Sequence, residues 1–72
     1  MTDVIEFDYA LKKAGLSRED VAKALKITKT ALFNKVHNKS QFRQSELATM
    51  YDILHLDTLE KQQRIFFTQK GE

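Results

Sequence analysis

Between Thr28 and Val36 the chain reads TKTALFNKV, and its side chains divide by helical spacing. Leu32 and Val36, four residues apart, mark one side. Lys29, Thr30, Phe33 and Asn34 then fall on the other, with Lys35 at the flank. These residue types suit recognition of duplex DNA. An asparagine carboxamide matches adenine N6 and N7, a lysine ammonium reaches guanine O6 or N7, and an aromatic ring packs on the thymine methyl. Thr28 stands where a helix would begin, a place whose backbone N–H groups and dipole attract phosphate. Ser17 and Arg18, at the start of the preceding helical segment, and Lys39, just beyond, would grip the phosphate backbone. Each residue also has a plainer reading. Asn34 and Thr30, taken singly, fit a solvated surface better than base reading. Phe33 is open between a base contact, a protein-binding surface and a partly buried core position.

Other chemistries find no footing in the sequence. Without cysteine there is no disulfide, no thiol nucleophile and no cysteine-based zinc site. No glycine-rich phosphate loop occurs. Neither His37 nor His55 has a second ligand four residues on, and both sit near helix C-termini, where an imidazolium complements the dipole. Glu19 and Asp20 are adjacent, so on a helix they diverge by about 100° and serve its start. An enzyme, a bound metal and a cofactor are therefore not expected. No apolar run approaches the roughly 20 residues that span a bilayer. Asp3, Glu6 and Asp8 break up the apolar start, unlike a signal peptide. A cytoplasmic protein is the expectation.

Charge is distributed unevenly. The net +2 resolves into −3 over residues 1–11, +7 over 12–43 and −2 over 44–72. The positive block coincides with the segment singled out above, where phosphate contacts would be needed. A solvated helical surface would account for the lysines equally well.

Five helices position these residues, within one small domain over residues 1–72. The first runs from about Asp3 to Ala14, with Val4, Phe7, Leu11 and Ala14 inward, Asp3 and Glu6 as a capping pair and Gly15 as the left-handed stop. Ser17 caps the second with Asp20, and Val21, Ala22 and Leu25 form its buried stripe. Ile27 plugs a tight turn. Thr28 caps the third, which continues to about His37. Asn38 to Phe42 form a polar loop anchored by Phe42. A fourth helix, about Gln44 to His55, buries Leu47, Met50, Tyr51 and Leu54. A fifth begins at Asp57 or Thr58, ends near Phe67 and leaves a tail, 68–72, expected to fray. Its apolar end, Ile65, Phe66 and Phe67, offers more hydrophobic surface than one helix face can bury, so it is a candidate partner-binding surface. Phe66 is the ring better placed for the core.

Residues 17–36 thus read as a helix-turn-helix, two short helices crossing steeply at the small Ala22. The run is similar to the Cro/CI, or xenobiotic-response-element, family. The matching residues are Leu16-Ser17, Val21-Ala22, Leu25, Ile27-Thr28, Leu32 and the Asn34 to Ser40 run. Phe42, Glu46-Leu47 and the terminal Phe66-Phe67 resemble a subset of small Gram-positive prophage regulators. The likeness is greatest to the short lactococcal temperate-phage type that includes modulators of repression. The resemblance implies a compact five-helix, lambda-repressor-like all-α domain. It also implies a genetic-switch regulator acting as an antirepressor on a CI-type repressor and contacting operator DNA. The alternative is a Cro-like homodimer that binds operators without a protein partner. Two positions depart from the family pattern. Lys26 stands where the turn usually has Gly, at about 1 kcal/mol of backbone strain. Arg43 replaces the usual Ser or Thr cap, leaving Glu46 without its capping partner.

Overall fold

Every helix but one begins where a side-chain oxygen can take a backbone N–H that has no partner within the helix. The computed structural model describes residues 1–67, and within them the chain forms α1 (Val4–Ala14), α2 (Arg18–Leu25), α3 (Lys29–Val36), α4 (Gln44–Ile53) and α5 (Leu59–Phe66). The expected frayed tail, 68–72, lies outside the described residues. Asp3 Oδ1 accepts from the Glu6 N–H at 3.0 Å, Thr28 Oγ1 from Ala31 at 3.0 Å and Thr58 Oγ1 from Lys61 at 3.2 Å. Ser17 and Asp20 form the full reciprocal box, at 3.1 and 2.9 Å. Arg43 has no oxygen to offer. At α4 only the Glu46 half of the box exists, its Oε1 accepting from the Arg43 N–H at 2.8 Å.

Four of the five helices stop by one device. Gly15, Lys26, Asn38 and His55 take left-handed backbone at φ 73°, 60°, 64° and 58°. After each, the next residue's N–H returns to a carbonyl five residues back: Leu16 to Leu11 at 3.0 Å, Ile27 to Ala22 at 3.0 Å, Lys39 to Asn34 at 2.8 Å, Leu56 to Tyr51 at 2.8 Å. Except at Lys39, the residue so placed is apolar, the hydrophobic contact that accompanies this motif. The motif also explains why α4 ends at Ile53 and not near His55. The chain reverses at His55 to bring Leu56 inward, where it is 6% exposed. Lys26 holds its left-handed φ despite its Cβ. Lys26→Gly should therefore raise the unfolding free energy by up to about 1 kcal/mol, read from a higher urea midpoint at unchanged m value.

The result is an all-α domain, with no strand among the described residues. Its radius of gyration is 11.2 Å. Phe7, Val21, Leu32, Val36 and Met50 are fully enclosed, so α1 to α4 each place a side chain at the centre. α5 closes that centre with Ile65 and Phe66, each 4% exposed. Phe66 meets Phe7 and Phe42 edge-on, at ring-centroid distances of 6.4 and 5.6 Å, and Tyr51 at 5.9 Å. Phe42 thereby anchors its loop as expected.

A long-range tie fixes the chain start to the exit of α3. Asn38, left-handed at φ 64°, accepts from the Thr2 N–H at 2.8 Å through Oδ1 and donates from Nδ2 to the Thr2 carbonyl at 3.0 Å. The next N–H, that of Asp3, donates to the Ile65 carbonyl at 2.7 Å. Residues 1–3 thus stitch α3 and α5 together. None of the described helices is long and apolar enough to cross a membrane.

Candidate nucleic-acid interface

α2 and α3 pack through Val21, Ala22, Leu25, Leu32 and Val36, all buried, and that packing decides what α3 shows. Lys29, Thr30 and Phe33 are exposed and Asn34 is half-buried on the opposite side. No hydrogen bond engages the carboxamide of Asn34 or the hydroxyl of Thr30 among the described residues, so both are available to a ligand.

Phe33 is 44% exposed, which removes the core reading. Its ring is flanked on both edges of the helix exit. The His37 imidazole lies at 4.1 Å between centroids and 32° from parallel, and Lys39 Nζ sits 5.7 Å from the ring centre. On the other side Phe33, Thr30 and Lys29 share with Arg18 a shallow concavity of about 280 Å³. The aromatic is thus surrounded by cationic and polar groups, an arrangement that pairs stacking with charge. His37 joins this group although its sequence position suggested only a helix-end role. Its spacing of four from Phe33 was the available signal.

The flanking phosphate candidates are differently placed. The Ser17 hydroxyl already caps α2. Its N–H and hydroxyl together hold the Asp20 carboxyl below the usual range, with a smaller contribution from Lys23. Thr28 likewise spends its hydroxyl on its own helix, at the N-terminus of α3. Arg18 forks onto Asp8 of α1, Nη2 reaching Oδ1 and Oδ2 at 2.9 and 3.1 Å and Nε reaching Oδ1 at 3.1 Å. Its guanidinium also lies over the Phe7 ring at 5.8 Å. A phosphate would compete with Asp8 for it. Lys39 remains exposed.

Lys35 is a correction. It was expected at the flank of the outer face, but its Nζ contacts both oxygens of Glu46, at 2.7 and 2.8 Å, with the two side chains 13% and 8% exposed. Burial pushes the Glu46 carboxyl up. The hydrogen bonds from Lys35 and the Arg43 N–H, with the charges of Lys35 and Arg43, outweigh it and hold the group below its ordinary value of 4.5. The supposedly unpartnered Glu46 therefore caps α4 and ties it to α3 at once.

Two more corrections concern α5. Ile65 and Phe66 were expected to serve a partner surface, yet both are core residues, because α5 turns them inward against α1, the Phe42 loop and α4. Of the candidate trio only Phe67 is exposed, at 51%. It lies at one end of a groove of about 470 Å³ whose other lining includes Lys35, Asn38, Ser40 and Phe42.

No protein-family model matches the chain, and no curated protein and no solved structure matches it either.

Proposed function

We propose that this protein is a small genetic-switch regulator of the helix-turn-helix type that presents α3 to operator DNA and modulates a CI-type repressor. The observation that carries the reading is the outer face of α3. Lys29, Thr30, Phe33 and Asn34 lie together, with polar groups uncommitted, at the centre of the most positive part of the chain. The partner and the phage setting rest on the resemblance to the Cro/CI family. Lys29 and Asn34 read base edges, Phe33 packs on a thymine methyl, and Lys39 and the α3 N-terminus hold the backbone.

A gel-shift assay with switch-region DNA, run with and without repressor, tests the reading. Binding should weaken as salt rises, with a slope of about −0.9 per phosphate contacted. Asn34→Ala should flatten the base preference at one position by about 1–3 kcal/mol while leaving the salt slope unchanged. Equal loss on every sequence would remove Asn34 from base reading.

The exposure of Phe33, bracketed by His37 and Lys39, favours a second route in which the same face docks on the repressor itself. Then the protein alone would shift no operator fragment. A complex with the repressor would form and be weakened by Phe33→Ala, whatever the DNA sequence. A homodimer acting alone on the operator is the remaining alternative, recognised by binding that needs no repressor.

A further inference from the structure

The Lys35–Glu46 pair joins the recognition face to the interior, and its geometry has a consequence for charge. Lys35 follows Asn34 on α3 and lines the groove at the helix exit that also holds Asn38, Ser40 and Phe67. Its ammonium is nonetheless turned onto both carboxylate oxygens of Glu46, at 2.7 and 2.8 Å. Glu46 is fixed in that position by a second bond, from the Arg43 N–H at 2.8 Å. A lysine side chain is long and flexible, and an ammonium without a counter-charge at a partly buried site moves to water. We propose that Glu46 is a positioning residue that sets how much positive charge the exit of α3 presents to a polyanion. While ionised it holds the Lys35 ammonium inward, and loss of its charge frees the ammonium into the groove at the exit of α3. The inference rests on the DNA-binding reading given above. Lys35 and Arg43 are the charged groups facing Glu46 from α3 and from the start of α4.

The test is duplex-DNA binding as a function of salt. Glu46→Gln keeps an oxygen for the Arg43 N–H but removes the charge. It should bind more tightly at low salt than the unmodified protein, with the slope steeper by about 0.9, one further phosphate contact. Its advantage then grows about 3.5-fold for each fourfold dilution of salt. Lys35→Met/Glu46→Gln should restore the original slope. Lys35→Met/Glu46→Leu, which carries neither charge and leaves no buried ion unpaired, should also show the original slope. An unchanged or shallower slope for a folded Glu46→Gln overturns the proposal while the DNA-binding reading stands. So does a slope shallower by about 0.9 in Lys35→Met/Glu46→Leu, which would mean that Lys35 already meets phosphate. If neither the unmodified protein nor Glu46→Gln binds duplex DNA, the DNA-binding reading fails and takes the proposal with it.

Discussion

Phe7→Ala should strip the protein of a large share of its folding stability. The ring is fully buried, packs edge-on against Phe66 at 6.4 Å and lies beneath the Arg18 guanidinium. Truncating a buried Phe costs about 3–5 kcal/mol in lost transfer energy and cavity. A chain of this length has only about 4–10 kcal/mol of stability in all. Each lost kcal/mol lowers the melting temperature of so small a domain by about 4–8 °C. A fall of more than about 12 °C in a circular-dichroism melt is therefore expected. A fall under about 5 °C would mean that the site collapses around the missing ring. Phe33→Ala is the natural control. With 44% exposure and a place outside the core cluster, Phe33 should alter stability by no more than about 0.5 kcal/mol. Loss of binding by that variant is then a surface effect. Two phenylalanines of one small domain are separated in this way into a structural and a recognition role.

What the sequence discloses follows the distance over which an interaction acts. The caps at Asp3, Ser17, Thr28 and Thr58 need only a hydroxyl or carboxylate three residues from an N–H, and each forms where the local pattern puts it. Gly15 and Lys26 take left-handed backbone as their positions after α1 and α2 require. Leu32 and Val36 point inward because four-residue spacing leaves them no alternative once α2 is packed. The site was less legible where distant segments decide it. Lys35 and Glu46 are 11 residues apart and Thr2 and Asn38 are 36, and no periodicity links either pair. In the sequence Glu46 marks half of a capping box and part of the family resemblance, neither of which points to Lys35. Its second partner became visible when α3 and α4 were laid side by side. Ile65 and Phe66 illustrate the same limit. Adjacent apolar residues on a helix diverge by about 100°, so local geometry alone suggests that one faces out. Here Phe66 turns into the aromatic cluster of Phe7, Phe42 and Tyr51 while Ile65 lies toward α1 and the Leu54–Leu56 turn, so both are enclosed.

Removing Lys35 alone should be far more damaging than removing Lys35 and Glu46 together. Lys35→Met leaves the Glu46 carboxylate in a site 8% exposed, with the Arg43 N–H its one remaining hydrogen-bond donor there. An ion left without its partner inside a protein costs about 3 kcal/mol or more, whereas replacing both members by apolar side chains is often close to neutral. Lys35→Met/Glu46→Leu should therefore recover most of the loss, though the cap on Arg43 goes with the carboxylate and about 1 kcal/mol remains missing. Acidity separates the three proteins. In the unmodified protein the Glu46 carboxyl is held below its ordinary 4.5, so its contribution is present above that value and disappears as the pH falls through the lowered one. In Lys35→Met both contributions of Lys35 are gone, and burial, the largest influence on the carboxyl, is opposed only by the Arg43 N–H and charge, so the carboxyl rises. Protonation then relieves the buried charge, and the variant gains on the unmodified protein as the pH falls. The doubly substituted protein has no group at the site to titrate. Urea denaturation at neutral pH and at about pH 4 measures all three. A gap between Lys35→Met and the unmodified protein that stays constant across those two conditions would mean that the ion pair is screened by water and contributes only as two alkyl stems packed between α3 and α4.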